Sequence, residues 1–332
     1  MLPRLYTHLA EHPVTYVTRD HERAEGLPAS TQGGAEGTRG YSIVSDSNKS
    51  TRELVDEFKN ENKSSIVIFK PSRHVEDVCH ERGWQNLNPS AALATQVENK
   101  VSQVAWLGEL AHLLPEHWLG ELSECNVRRP FVLQFATGHS GESTFLIEKE
   151  SDLSNLIKQF PRRMVRASRF IKGSTFTNNV VVWGDNVLIG SISYQRTGEG
   201  DLTANPFATV GNDWGKAVEL LGEAGHKQYN DIAQTIGTKL AGQKWKGLFG
   251  LDIIREDSTG KMYLIEINAR QPASAVFESK LQGMRSDLEG ARRSDLWVTT
   301  FEAHMAALLE LPYQGETLVP VASGKRTVNR IV

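Results

Sequence analysis

Gly250-Leu251-Asp252-Ile253-Ile254, then Asp257-Ser258-Thr259-Gly260, then Tyr263-Leu264-Ile265-Glu266-Ile267-Asn268-Ala269-Arg270 is the stretch that decides the fold. Two apolar runs of strand type flank a turn cluster ending in glycine, which reads as a β-hairpin. A three-residue loop Ser258-Thr259-Gly260, with Gly260 left-handed, pairs Asp257 with Lys261. Counting back from that closure places Asp252 opposite Glu266, with Asn268 two residues on and on the same face. Two carboxylates facing each other within apolar strands repel unless a cation lies between them. A hard divalent cation takes oxygen ligands of this kind, so the three residues read as a Mg²⁺ (or Mn²⁺) site. The alternative is that Asp252 points to solvent and Glu266 makes an ordinary ion pair, because a one-residue slip moves Asp252 to the other face.

Working outward, 332 residues suffice for two or three subdomains around a sizeable core. Hydrophobic content of 39% and charged content of 23% are those of an ordinary globular chain. A net charge of −3 with interspersed signs gives no field for nucleic acid or an anionic membrane surface. Only Pro161-Arg162-Arg163-Met164-Val165-Arg166-Ala167-Ser168-Arg169 is locally basic. It reads as a solvated strand edge, with a phosphate-facing cluster as the alternative. Cys79 and Cys125 form no disulfide framework or metal spacing. The first residues lack the apolar core of a signal peptide, and no run reaches the roughly 18 apolar residues of a membrane helix. A reduced, cytoplasmic protein is expected.

Upstream, the first ~95 residues alternate strand and helix, as in a small parallel α/β unit. Val14-Thr15-Tyr16-Val17, Tyr41-Ser42-Ile43-Val44 and Ile66-Val67-Ile68-Phe69 are its strand candidates. Ser50 with Glu53 spells a capping box. A second helix after Ser72 carries Val75, Val78 and Cys79 on one face. Ala24 to Gly40 is rich in small residues and reads as a mobile loop. From Ala91 to about Leu119 the pattern is helical. Strands at Pro130–Phe135 and Thr144–Ile147 then flank Gly138-His139-Ser140-Gly141-Glu142-Ser143. This loop is neither a Walker A loop nor the opening of a helix. It reads either as a plain turn or as a flap whose backbone N–H groups and hydroxyls close over phosphate oxygens. A strand through Phe170-Ile171, a strand from Asn179 to Val182, a helix from Lys227 to Leu240 and a last helix from Phe301 to Glu310 complete the outline. The end, from Gly324 to Val332, looks like a strand cut off in progress.

The order of these motifs resembles the ATP-grasp superfamily over about Asn99 to Leu311. Its last core strands carry an acid and then Glu-x-Asn-x-Arg, matched by Asp252 and by Glu266, Asn268 and Arg270. The resemblance implies an α/β (α+β) ATP-grasp fold with an N-terminal Rossmann-like pre-ATP-grasp domain. The expected divisions are 1–95 for that domain, 96–129 for a helical connector, 130–168 for the flap, 169–315 for the core with its metal site, and 316–332 for a C-terminal segment.

It also implies that Asp252, Glu266 and Asn268 hold Mg²⁺ or Mn²⁺ and that Arg270 stands beside a reacting acyl phosphate. Lys100, in Asn99-Lys100, would reach the phosphates of ATP. Gly138, His139, Ser140, Gly141 and Ser143 would cover them. Phe170 and Ile171 would meet adenine through their backbone. Lys280 matches a segment of the carbamoyl-phosphate synthetase branch. Three positions depart from the pattern: Gln134 replaces a phosphate-binding cation, Ser168 a hinge glutamate and Thr175 a ribose-binding glutamate. A neutral amide at Gln134 loses the charge that makes a phosphate contact strong.

The expected function is an ADP-forming, Mg²⁺-dependent ligase that joins a small-molecule carboxylate to an amine. The partners expected are those substrates and at most a second copy of the chain as a homodimer. The alternatives are a degenerate nucleotide-binding module without catalysis, and an enzyme using bicarbonate as the acid.

Overall fold

The computed structural model describes residues 2–27, 39–137, 143–288, 296–321 and 328–330. Helix α1 (Pro3–Glu11) leads into strands β1 (Val14–Thr18), β2 (Tyr41–Ser45) and β3 (Ser65–Val67), a parallel sheet in the order β2-β1-β3. Between β2 and β3, α2 (Thr51–Glu57) starts at the Ser50–Glu53 capping box, in which each side chain bonds the other residue's backbone N–H. Helix α3 (Arg73–Arg82) turns Val75, Val78 and Cys79 into the interior. Of the small-residue loop read between Ala24 and Gly40, residues 28–38 lie outside the described residues.

Helices α4 (Ala91–Glu98) and α5 (Ser102–Leu107) follow as expected, but the helical pattern does not continue to Leu119. His117–Glu121 is strand β4, and it pairs antiparallel with β7 (Met164–Arg169). Pro115 breaks the helical path two residues earlier. The boundary expected at 129 therefore cuts through one sheet, whose order is β4-β7-β5-β6, with β5 (Phe131–Phe135) and β6 (Thr144–Ile147). Helix α6 (Glu150–Gln159) joins β6 to β7. The basic run is thus an interior strand of this sheet and not the solvated edge. Phe131, Leu133, Phe135, Val165 and Ala167 form the core under one face. By alternation the other face carries Val132, Gln134, Arg166 and Ser168, and Gln134 pairs with Arg166.

The larger sheet runs β13-β12-β8-β10-β11-β16, with β9 also on β8. Its strands are β8 (Gly173–Trp183), β9 (Asn186–Ile189), β10 (Ser193–Thr197), β11 (Thr209–Asp213), β12 (Gly247–Glu256), β13 (Met262–Asn268) and β16 (Val328–Arg330). Strand β8 is much longer than Asn179–Val182. The far C-terminal segment contributes β16 to this sheet. Helix α7 (Trp214–Ala241) begins well before Lys227 and crosses a kink at Gly222, where φ is +58° and ψ is −175°. Its stripe of Ile232, Ile236 and Leu240 lies over β8, β9 and β10 and shares one core cluster with Phe249, Leu251 and Ile253 of β12.

On the opposite side, α8 (Ala275–Leu288) and α9 (Thr300–Leu308) follow the hairpin, and β14 (Trp297–Val298) pairs with β15 (Thr317–Leu318). Every residue of α9 is buried. Its Phe301 shares one cluster with Leu5, Tyr16 and Val67 from the N-terminal unit and with Val181 and Trp183 of β8. Burying a side chain such as Phe301 stabilises by roughly 1.5–3 kcal/mol. The N-terminal unit and the large sheet are therefore held by a common core. Among the described residues no helix is long and apolar enough to cross a membrane.

Candidate active site

The hairpin of β12 and β13 places Asp252 directly opposite Glu266, by a different route from the loop arithmetic. The closing pair is Glu256 with Lys261, so the loop has four residues, 257–260, and not three. The ladder continues through Arg255–Met262 to Ile253–Leu264 and then shifts, leaving Ile265 as a β-bulge before Asp252 meets Glu266. The longer loop and the bulge offset each other, and the expected register is recovered at the acids. Gly260 has φ +71°, the left-handed conformation expected of it.

The row continues across the sheet, because Asp252 also pairs with Thr177 of β8. Gln195 Nε2 donates to Asp252 Oδ1 at 2.9 Å, and Asn268 Nδ2 donates to Oδ2 at 3.1 Å. Burial and the facing Glu266 push the Asp252 carboxyl up to about 6, against hydrogen bonds from Thr177 and Asn268 and the charge of Arg270. Such a pair is relieved by a positive charge placed between its members. Asn268, with its amide nitrogen turned to Asp252, has no donor on its Oδ1 among the described residues. Two carboxylates and a carboxamide oxygen are hard donors that fit Mg²⁺ or Mn²⁺, which leave further positions to phosphate and water. Among the described residues no third Asp, Glu, His or Cys joins them to complete an all-protein cage.

Cations surround the acids. Lys100, buried at the end of α4, sets its Nζ on Glu266 Oε1, while its backbone N–H donates to the Ala136 carbonyl beyond β5. It therefore ties the two sheets together. Arg270 Nη1 lies 2.6 Å from Glu98 Oε1, and Lys70 Nζ lies 2.6 Å from Glu98 Oε2. Burial raises the Glu98 carboxyl, but Arg270 and Lys70 outweigh it and hold the group below its ordinary value. Arg166, 2% exposed, donates to Gln134 Oε1, Gln103 Oε1 and the carbonyl of the bulged Ile265.

These groups border a cleft of about 310 Å³. Gln134 and Thr144 of the smaller sheet line one side, and Thr175, Thr177, Gln195 and Asp252 line the larger sheet's side. Glu266, Asn268 and Arg270 continue the lining towards Ser274, and Arg23 reaches in from the N-terminal unit. Of the residues expected to bind nucleotide, Gln134 and Thr175 thus face the cleft. Ser143 is buried beside it, with its carbonyl accepting from Phe135 N–H. Gly138, His139, Ser140 and Gly141 lie outside the described residues. Phe170 and Ile171 form the link between β7 and β8 at the junction of the sheets, and Ser168 is buried on β7; none of the three lines the cleft. Lys280, on α8, pairs with Glu25 at 3.2 Å and is also outside the lining.

Reading the sequence did not anticipate Gln195, Thr177, Gln103, Glu98 or Lys70. Glu98 had a signal, since it adjoins Asn99-Lys100. Gln195 had none, because β10 carries no motif.

A four-stranded sheet facing a larger sheet across a cleft of carboxylates and cations is the setting in which the comparisons apply. The chain matches the model of the ATP-grasp domain over residues 97–274, more than half its length, and it belongs to that family. Among curated proteins none matches it. Solved structures share its fold at low identity. N5-carboxyaminoimidazole synthase from Aspergillus clavatus, in complex with ADP and 5-aminoimidazole ribonucleotide, is 15% identical with a TM-score of 0.60, covering 97% of this chain and 77% of its own. The carboxyaminoimidazole ribonucleotide synthase of the same fungus, complexed with ATP, is 14% identical with a TM-score of 0.62, covering 95% and 80%. L-amino acid ligase from Bacillus licheniformis is 14% identical with a TM-score of 0.60, covering 90% and 74%.

Proposed function

We propose that the protein is an ATP-dependent ligase that joins a small-molecule carboxylate to an amine through an acyl phosphate, releasing ADP and orthophosphate. The observation that carries this reading is the row of Asp252, Glu266 and Asn268 with Arg270 beside it, all on one cleft between two sheets. Similarity to enzymes solved with ADP and ATP supports a nucleotide as one occupant. Division into a pre-ATP-grasp unit, a flap and a core belongs to the same reading.

Asp252, Glu266 and Asn268 would hold Mg²⁺ or Mn²⁺, which when bound neutralises the terminal phosphates. Lys100, already seated on Glu266, would add a second positive charge beside those oxygens. Arg270, steadied by Glu98, would face the acyl phosphate and stabilise the oxyanion formed when the amine attacks. The sheet carrying Gln134 and Thr144 would close over the phosphates and keep water from the intermediate. A non-catalytic nucleotide module has little use for Arg270 at this place, so catalysis is the stronger reading. A bicarbonate-using enzyme would share the acyl-phosphate step, and no residue singles it out.

Chromatography of spent nucleotide, with amino acids supplied in pairs, tests the mechanism. ADP and orthophosphate formed only with both substrates are expected. AMP and pyrophosphate would exclude an acyl phosphate.

A further inference from the structure

The cleft has an oddity in its charges. Arg166 is almost wholly buried, yet its hydrogen-bond partners are all neutral: two glutamine side chains and one peptide carbonyl. Among the described residues no carboxylate lies within ion-pair distance of it. The charge of Glu266 favours the ionised guanidinium from beyond bonding distance, against its burial. A buried guanidinium with no directly bonded anion is unfavourable, and it persists where a ligand supplies that anion or where fixed dipoles replace it.

The partner it grips most firmly is Gln134, directly across the strand pair. Arg166 Nε and Nη2 both donate to Gln134 Oε1, at 3.2 and 2.8 Å. A guanidinium has donors only, so the end of Gln134 facing it must be the oxygen. The amide nitrogen is then the other end, and Gln134 lines the cleft. Among the described residues Gln134 Nε2 has no acceptor.

We infer that Arg166 is a positioning residue for an anionic ligand: it fixes Gln134 so that the amide donates into the cleft, and it supplies from the neighbouring strand the positive charge that β5 lacks. The inference rests on the nucleotide reading above, and the anion in question is a phosphate of the nucleotide. Charge and hydrogen-bond donor are divided between two strands, with Arg166 behind and Gln134 in front. The bulge serves the same arrangement, because Ile265, outside the ladder, offers its carbonyl to Arg166 Nη2 at 2.8 Å.

A charge transposition tests this. Binding of Mg²⁺ with adenosine 5′-(β,γ-imido)triphosphate is measured by calorimetry for the wild type, Arg166→Gln, Gln134→Lys and the double variant, each with a melting curve. Arg166→Gln should weaken binding about tenfold or more, as expected for losing charge assistance at a phosphate. Gln134→Lys alone should not tighten binding, because it sets a second cation against Arg166. The double variant moves the charge to β5 and should bind within about threefold of wild type. If the double variant binds no better than Arg166→Gln, Arg166 merely braces the sheet and the inference falls. A folded Gln134→Lys that binds tighter with Arg166 in place would show two independent sites and would also overturn it. Wild-type binding left unchanged in Arg166→Gln removes the inference but leaves the nucleotide reading standing. No binding by the wild type would remove both.

Discussion

Glu266 answers to two positive charges, the buried ammonium of Lys100 and the divalent cation proposed between it and Asp252. Glu266→Gln keeps an oxygen for Lys100 but removes the charge opposite it. The variant should lose turnover, with loss of Mg²⁺ dependence, and lose about 1–3 kcal/mol of stability as a buried cation is left without its anion. Activity assays across a metal titration, beside denaturant curves, separate the two effects; wild-type ATP consumption would sink the metal assignment. Glu278 offers a second experiment. It is fully buried on α8, and accepts from Asn179 Nδ2 at 2.6 Å and from Ser191 N–H at 2.7 Å. Burial raises its carboxyl to about 7, against those bonds and one from Thr300. The folded state therefore holds this proton more tightly than the unfolded chain, whose ordinary carboxyl titrates near 4.5. Its contribution to stability is fully present below that value and is lost as pH rises through about 7. Glu278→Gln should flatten this part of the stability profile; melting temperatures from pH 5 to 8 that fall as steeply as in the wild type would show that another group is responsible.

Helix α7 and the hairpin show what a chain reveals about its elements. The apolar stripe of α7 announced its second half, from Lys227, because Ile232, Ile236 and Leu240 are large apolar residues buried in the core of the larger sheet. Its first part lies beyond the kink at Gly222. The buried positions Trp214, Ala217, Leu221, Gly225 and Tyr229 keep helical spacing across it, but Ala217 and Gly225 are too small to mark the stripe in composition. An added methyl at Gly222 would meet nothing within 4 Å, so Gly222→Ala reports on backbone strain alone. With φ at +58° it should cost about 1–3 kcal/mol by denaturant unfolding, and an unchanged midpoint would mean the helix straightens without penalty. In the hairpin the two strands and the glycine turn were legible from composition, but the facing of Asp252 and Glu266 was reached through a three-residue closure. It holds because the four-residue loop and the bulge offset each other. The bulge was not legible, because a shift of one residue leaves no mark in composition when the loop compensates for it. Gln134 was legible as a departure from the family pattern. Its answering Arg166 was only part of a basic run, since which strands are neighbours is a tertiary fact that local sequence does not carry. Strand β4 was missed for a related reason: a half-buried edge segment has too little alternation to be told from a helix end.

At the scale of the molecule, the three largest sheets among the described residues share two seams. One is the cleft, bridged by Lys100, just after α4, to Glu266 of β13 and by Arg166 from β7 to the bulge. The other is the apolar cluster around α9, to which Leu5 of α1 and Tyr16 and Val67 of the first sheet contribute. That second seam bears on how the chain can be divided. The family match ends at 274, before α8 and α9, and starts at 97, after the strands that pack with α9. A gene fragment limited to 97–274 would leave Val181, Trp183 and Leu248 facing water on the side that α9 and the N-terminal unit now cover. Expressed alone it should aggregate or bind hydrophobic dye strongly, whereas the full chain should stay monodisperse; size-exclusion chromatography with dye fluorescence decides this. By the same argument the stretch matched by the family should not be portable: lifting it out, fusing it elsewhere or swapping it between proteins should require that the first strands and the last helices travel with it.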